Sequence, residues 1–387
     1  MKILYMTMSY DPNRNGLYQN LVDSLLEKNH EITIVRSKND IDKNKVETIK
    51  NNLKILSVKT GDPFSKNIFK KGMNQILLAT YFKNAIKEFL SNENFDLILY
   101  ATPPVTLASV VQFCKNKYHA KTFLMLKDIF PQNAVDLGMM KKNGLIYKYF
   151  RGQEKKYYDL SDKIGCMSQG NVDYVIKHNP DVDKNKLLVF PNSICIEEVD
   201  GLTFHEDKTV FLFGGNIGKP QNVSGILNII DKLNDYPKAE FVFVGKGVEQ
   251  NKIINYIKEN EPKNVKYLDY LPQKEYYNLL KSADVGLISL DPRFTIPNIP
   301  SKFQHYLKLK KPVLAITDVN TDLKNMIKNG NCGWWCDAEN SSEIVKTIKY
   351  ICNNKNHQIS RGENSFKYLE KFFNVKNNVE ILERLFN

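Results

Sequence analysis

One short segment in the second half of the chain combines residue types that suit phosphate binding. Pro300 and Ser301 precede Lys302, and the residues up to Leu307 have the pattern of a short helix. Because a helix N-terminus has partial positive charge and free N–H groups, a lysine and a hydroxyl placed there favour an anionic ligand. Lys302 is the leading phosphate candidate, with Ser301 beside it, and the alternative is a surface lysine at a helix start.

A second segment with the same layout lies upstream. A strand predicted over 209–213 ends in small residues, which include Gly215 and Asn216, and a helix is predicted over 222–233. Two phosphate-suited loops in one half of a chain indicate a nucleotide diphosphate ligand. Gly215 and Asn216 are therefore candidate donor-binding residues.

Three further basic residues could add positive charge to these loops. Lys246 stands between two glycines that follow a strand predicted over 240–245, although a tight turn explains those glycines equally well. Lys219 and Arg293 are weaker candidates, because a lone surface cation is more often solvated.

The first half offers one carboxylate in a position suited to chemistry. Asp128 follows a strand predicted over 122–126 and precedes Pro131, and ligands of open α/β sheets bind at the carboxyl ends of strands. The alternative role is an N-cap for the helix that follows. Gly16, in the first loop, is a candidate for close approach of backbone to a ligand, although a glycine alone is a weak signal.

Bulk composition limits the class of protein. The chain has 387 residues, 42% of them hydrophobic, and a net charge of +12, which predicts a globular protein of two or three domains. A basic surface favours anionic partners, but no nucleic-acid module accompanies it, so no nucleic-acid partner is expected. Abundant Lys, Asn and Ile also suggest a compositional bias that accounts for the charge.

Cysteine usage and hydropathy indicate a cytoplasmic protein. The six cysteines are irregularly spaced, which favours free thiols in a reducing compartment. No secretory signal is expected at Met1–Tyr5, which has the pattern of a strand, and no apolar stretch is long enough to cross a membrane. Asp181 and Asp183 have the spacing of a metal motif but lie in a polar turn, so no metal site is expected.

Strands alternate with helices along the chain, and the pattern restarts near residue 200. This alternation predicts α/β architecture with parallel, doubly wound sheets. We expect a first Rossmann-like domain over 1–197, a second over 198–365 and a terminal helical segment over 366–387.

The ordered segments GNIGKPQN, VGKG and IPSKFQHYL…KPVLA resemble the donor half of retaining glycosyltransferases with the GT-B fold. The similarity is to the bacterial capsule and O-antigen polysaccharide biosynthesis type, glycosyltransferase family 4-like. The resemblance implies two facing Rossmann-like domains, with the acceptor bound by the first, the nucleotide sugar bound by the second, and a C-terminal helix that crosses back to the first.

The activity that the resemblance implies is sugar transfer with retention. The donor would be a UDP-sugar, with a sugar of the N-acetylated hexosamine type, and the acceptor a lipid-diphosphate-linked saccharide. The family usually manages the diphosphate without metal, so no cofactor is expected. The segment around Asp128 matches the family's Asp-x-aromatic-Pro pattern, which makes Asp128 the candidate for orienting or deprotonating the acceptor.

The sequence departs from the wider family at several donor positions. A pair of glutamates spaced eight apart is replaced by Pro297 and His305, and Gln304 or His305 would have to supply the ribose contact. An Arg and a Lys are replaced by Asn216 and Asn222. The diphosphate charge would then fall to Lys302, Lys246 or Lys219.

Two alternative functions stay open at this stage. One is a UDP-sugar 2-epimerase on the same fold, and the other is a non-catalytic nucleotide-sugar-binding subunit, which the missing glutamates favour. Basic and aromatic residues over 68–82 and 139–156 suit peripheral contact with the inner membrane surface. An amphipathic core helix with a solvated face explains these stretches equally well.

Overall fold

A computed structural model describes residues 1–14, 16–61, 68–197 and 204–386, apart from the side chains of 68–73, 75 and 76. The chain divides into two compact units, Met1–Cys195 with Val375–Asn387, and Ile196–Asn374. The α/β prediction is confirmed, because each unit is built on a sheet of mainly parallel strands with helices between them.

Unit 1 contains, within its described residues, an eight-stranded sheet in the order β3-β4-β2-β1-β5-β6-β7-β8. Its strands are β1 Lys2–Thr7, β2 Glu31–Lys38, β3 Lys45–Lys50, β4 Leu53–Lys59, β5 Leu97–Ala101, β6 Lys121–Leu126, β7 Lys163–Cys166 and β8 Leu187–Val189. Its helices are α1 Leu17–Glu27, α2 Ile68–Phe89, α3 Ala108–Tyr118, α4 Gln132–Asp136, α5 Leu145–Leu160, α6 Gln169–His178 and α14 Val375–Phe386. The sequence analysis predicts neither β3, an antiparallel edge strand that is mostly exposed and lacks an apolar run, nor β4, its buried neighbour.

Unit 2 contains, over the part that the structure describes, a six-stranded parallel sheet in the order β11-β10-β9-β12-β13-β14. Its strands are β9 Thr209–Gly214, β10 Ala239–Val244, β11 Val265–Leu268, β12 Val285–Ser289, β13 Val313–Thr317 and β14 Gly333–Asp337. Its helices are α7 Val223–Asp231, α8 Gln250–Asn260, α9 Gln273–Ser282, α10 Lys302–Lys308, α11 Leu323–Gly330, α12 Ser341–Asn353 and α13 Lys355–Phe372. Strand β14, at the sheet edge, is also absent from the sequence prediction.

The terminal segment returns to unit 1 later than the sequence predicts. The predicted return at residue 366 falls inside α13, which packs against α10, α11 and α12 in unit 2. Helix α14 instead buries Val375, Val379 and Leu382 in the core of unit 1, beside α1. The other predicted boundary, at 197, borders residues 198–203, which lie outside the described part.

Candidate functional site

The loops that follow β9, β10 and β12 are joined at the carboxyl edge of the unit 2 sheet. The Ile217 N–H donates to Lys246 O at 2.9 Å, which connects the first loop to the second. The Asp291 N–H donates to Pro220 O at 2.9 Å, which connects the first loop to the third. The structure thus brings these three loops together at the edge where open α/β sheets bind ligands.

Glycines allow these loops to approach so closely. Gly215 and Gly245 have φ of 104° and 131°, which L side chains rarely adopt. A Cβ on Gly245 would lie 2.0 Å from Gly215 O, and one on Gly247 would lie 2.1 Å from Ile217 O. The two glycines of the Gly–Lys–Gly segment are therefore explained by the close approach of this loop to the loop after β9.

Lys302 is the first residue of α10, as predicted, but its amino group is buried. The Nζ atom lies 3.6 Å from the centroid of the Phe213 ring, at the end of β9. It has no hydrogen-bond partner among the described residues. Burial lowers the pKa of Lys302 to about 7, because the charged form loses its hydration. An anion bound beside Nζ would restore the charge and supply the missing partner.

Two more buried polar side chains near this edge also lack partners within the described chain. Gln304 is fully buried, and neither its amide nitrogen nor its amide oxygen is hydrogen-bonded. The Oγ of Ser289, at the end of β12, is buried and unpaired as well. Since buried polar groups are nearly always satisfied, such groups at a strand edge indicate a ligand. Sequence reasoning missed Ser289, whose only signal is a hydroxyl that closes an apolar strand.

Tyr306 fixes α10 against the strand ends. Its hydroxyl donates to Leu212 O at 2.9 Å and accepts from the Gly214 N–H at 3.2 Å. Its ring occupies the space above Gly286, where a Cβ would meet the Tyr306 Cγ at 2.2 Å. This anchoring positions the Lys302 and Gln304 side chains on the same short helix.

The other basic candidates lie at the surface. Arg293 forms a two-pronged ion pair with Asp291, with Nε and an Nη at 2.9 and 2.7 Å from its oxygens. Lys246 is exposed, and its Nζ lies 3.4 Å from an oxygen of Asp269. Lys219 is exposed on a 3₁₀ turn. These cations are hydrated or already paired, in contrast to Lys302.

The remaining donor candidates divide between exposed and structural positions. Asn216, Ser301 and His305 are exposed, and the Ser301 side chain makes no capping hydrogen bond to α10. Asn222 caps α7 by accepting from the Gly225 N–H at 3.3 Å. Gly16 lies in unit 1 as the N-cap of α1, with an extended backbone (φ −161°) that any residue adopts.

Asp128 follows β6 in unit 1, where its carboxylate is held by one side chain. The Asn133 amide donates to an Asp128 oxygen at 2.6 Å. Burial raises the pKa of Asp128 to about 6, while hydrogen bonds from the Ile129 N–H and Asn133 oppose that rise. The N-cap position of helix α4 is Pro131, so Asp128 does not act as the N-cap of that helix. A carboxylate with this pKa can accept a proton near neutral pH.

A second buried carboxylate lies near Asp128 and influences its charge. Glu154, on α5, accepts from Arg151 and from the Tyr158 hydroxyl, the latter at 2.7 Å. Burial raises the pKa of Glu154, and Arg151 opposes that effect. The negative charge of Glu154 in turn contributes to the raised pKa of Asp128. Sequence reasoning missed Glu154, since it lies on a helix 26 positions downstream without a recognisable motif.

Metal-ligating residues do not cluster in the described residues, where no group of three or more His, Cys, Asp or Glu side chains could hold an ion. Asp183 instead caps a 3₁₀ turn by accepting from the Asn185 N–H at 2.9 Å. Over the same residues, no helix is long and apolar enough to cross a bilayer.

Comparison with known proteins agrees with this geometry. Residues 196–368, nearly all of unit 2, match the model of the family described as Glycosyl transferases group 1. The second unit is therefore similar to the domains of group 1 glycosyltransferases. The chain is also 25% identical over 296 residues to "Probable glycosyltransferase WbjE" of Pseudomonas aeruginosa, covering 74% of this chain and 72% of that protein.

The chain is also similar to a second curated protein and to a solved structure. "Putative colanic acid biosynthesis glycosyl transferase WcaI" of Escherichia coli K12 is 21% identical and spans 59% of each protein. A solved E. coli structure, described as trehalose-6-phosphate bound with UDP-2-fluoro glucose, has a TM-score of 0.75 at 11% identity. That match covers 99% of this chain and 98% of the solved one, so the GT-B fold extends over both units.

Proposed function

We propose that this protein transfers a sugar of the N-acetylated hexosamine type from a UDP-sugar to a lipid-diphosphate-linked saccharide. The reaction proceeds with retention and without a metal, in capsular or O-antigen polysaccharide synthesis, on the cytoplasmic face of the membrane. The group 1 glycosyltransferase match and the similarity to WbjE and WcaI support a sugar transferase of polysaccharide assembly.

The observation that carries this proposal is the buried amino group of Lys302, which has no hydrogen-bond partner among the described residues. A diphosphate that enters beside Nζ meets a lysine whose pKa is about 7 and brings it to the charged state. The resulting charge-assisted hydrogen bond compensates the negative charge that builds up on the departing UDP. Gln304 and Ser289, which are also unpaired within the described chain, offer further hydrogen bonds to the donor.

Asp128 serves the acceptor in this proposal. The acceptor hydroxyl oxygen bonds to the anomeric carbon while the bond from that carbon to the UDP oxygen breaks. Front-face attack gives retention, and Asp128 accepts the hydroxyl proton as general base, with help from the departing phosphate. The Asn133 amide orients the Asp128 carboxylate for that contact.

A transfer assay with product analysis tests the proposal. Purified protein is given UDP-GlcNAc and a lipid-diphosphate saccharide, with and without EDTA, and the product linkage is assigned by NMR. We expect an α-linked product in the presence of EDTA, and a far slower reaction for Lys302→Met. Turnover of UDP-GlcNAc without acceptor would instead indicate an epimerase, and nucleotide binding without any turnover a binding subunit.

A further inference from the structure

The connection from α4 into α5 exposes a set of large apolar side chains. The exposed fractions of Leu145, Ile146, Met139 and Tyr149 are 86%, 65%, 63% and 42%. We refer to these four residues as the α5 surface. Large apolar side chains grouped at the surface mark interaction sites.

The apolar stripe of α5 continues past the body of unit 1. Glu154 and Tyr157 are buried on this stripe, and Phe150 is partly buried against Phe130. Residues four apart share a helix face, so Ile146 belongs to the same stripe as Phe150. Ile146 nevertheless lies mostly in solvent, because the first turn of α5 extends beyond the elements that cover the rest of the helix. The stripe therefore ends in apolar residues without a covering element in the described chain.

Exposed lysines flank these apolar residues along the chain. Lys141, Lys142 and Lys148 are exposed, and none forms an ion pair with a described residue. Lys155 and Lys156 are exposed farther along the same helix. Exposed apolar side chains with neighbouring lysines match an anionic bilayer, in which the apolar side chains enter the acyl boundary and the lysines meet the headgroups. A second copy of this chain fits less well, because a two-fold contact would bring like charges together.

We propose that the α5 surface docks unit 1 on an anionic lipid bilayer. Docking would bring unit 1 to the bilayer that contains the lipid-linked acceptor. Only this link to the acceptor rests on the proposed function. The ring of Phe150 on α5 lies 4.9 Å from that of Phe130, two residues after Asp128. The Met139 N–H donates to Ala134 O at 2.8 Å, next to Asn133. The membrane contact and the acceptor carboxylate thus share one short connection of unit 1.

Vesicle flotation of the full chain tests the proposal. The wild type should float with phosphatidylglycerol–phosphatidylcholine vesicles and not with phosphatidylcholine alone, and high salt should release it. Leu145→Ser/Ile146→Ser should lower the partition coefficient by roughly 10- to 100-fold. Neutralisation of Lys141, Lys142 and Lys148 to Gln should lower it by about 100-fold, since each basic residue contributes roughly fivefold.

Ile359→Ser is the matched control, since Ile359 is 39% exposed but lies on α13 in unit 2. It should leave flotation unchanged, and all variants should keep the UDP affinity and melting temperature of the wild type. The proposal is overturned if the wild type does not float or if Leu145→Ser/Ile146→Ser floats equally well. It is also overturned if that change alters only the sedimentation coefficient, which would indicate a contact between two copies of the chain. Flotation without transfer to a lipid-linked acceptor would count against the proposed function alone, and transfer without flotation against the docking surface alone.

Discussion

Lys127 in unit 1 and Lys302 in unit 2 are two buried lysines whose pKa values are lowered alike but whose hydrogen-bonding surroundings differ. Burial lowers the pKa of each to about 7. The Lys127 amino group donates to Phe190 O at 3.3 Å and lies 5.2 Å from the Phe190 ring centroid. The Lys302 amino group lies over an aromatic ring as well, but no described residue accepts from it.

This comparison shows that desolvation alone does not mark a binding site. Lys127 is a satisfied amine whose neutral form fits its surroundings, whereas Lys302 keeps unused hydrogen-bonding capacity. In unit 1 the group suited to chemistry is Asp128, which follows Lys127 in the chain and whose raised pKa favours proton transfer. The four predictions below test this contrast between a satisfied and an unsatisfied buried group.

The largest effect is expected from Asp128→Asn. Loss of a general base should lower the transfer rate by about 100- to 10,000-fold, while UDP affinity stays unchanged. The wild-type rate should rise with pH through about 6, because the base must be deprotonated. Initial rates over a pH series, with UDP titrations on the same preparation, measure both quantities.

The melting temperature of Asp128→Asn provides the control for folding. A raised folded-state pKa means that Asp128 favours the folded state at low pH and disfavours it once pH exceeds the folded pKa of about 6. At pH values above this, the Asn variant should be at least as stable as the wild type. A normal rate with a lowered melting temperature would refute the catalytic assignment.

The next largest effect is expected from Lys302→Met, with Lys127→Met as the matched control. A charge-assisted hydrogen bond contributes about 1.5 to 3 kcal/mol, so UDP affinity should fall by about 10- to 150-fold. Lys127→Met should leave UDP affinity near that of the wild type, since Lys127 already has a partner. Isothermal titration calorimetry measures both dissociation constants.

Calorimetry in buffers of different ionisation enthalpy adds a second test of Lys302. Above pH 7 the free amine is neutral and becomes charged in the complex, so about one proton should be taken up per UDP bound. Lys302→Met should abolish this uptake and Lys127→Met should retain it. Equal proton uptake in all three proteins would show that Lys302 is not the diphosphate ligand.

A smaller effect is expected from Asn133→Ala. The Asn133 amide stabilises the charged form of Asp128, so its removal should raise the pKa of Asp128 further. The acidic limb of the rate profile should move to higher pH, with a loss of several-fold to about tenfold near pH 6 and little change in alkaline solution. The control is Gln132→Ala, because Gln132 donates to Asp136 at 2.7 Å instead. An unmoved limb would exclude this positioning role.

The smallest effect is expected in the stability of ligand-free Lys302→Met. Below pH 7 the folded wild type must hold a buried ammonium, and this cost fades as pH rises toward the usual pKa of lysine. The variant should therefore be more stable by about 1 kcal/mol or more below pH 7, and the difference should shrink in alkaline solution. Thermal unfolding across pH measures it, and a variant less stable at every pH would contradict the burial of Nζ.

Local sequence accounts for much of the fold and for the position of the candidate residues. Apolar runs bounded by Gly and Pro predict most strands, and a proline and serine before Lys302 predict the start of α10. Strands β3, β4 and β14 and the late return at Val375 are not predicted. Strand β3 is exposed and lacks an apolar run, and the residues of a terminal helix do not specify the unit on which that helix packs.

What the sequence by itself determined is therefore the alternation of elements and the placement of Lys302 and Asp128 at strand and helix ends. Tertiary structure decided their chemical character. Lys302 is buried by Phe213, 89 positions away, and Asp128 receives its partner and its raised pKa from the packing of α4 and α5. Desolvation and hydrogen-bond satisfaction depend on atoms that the chain brings together only on folding, so no local pattern of residues encodes them.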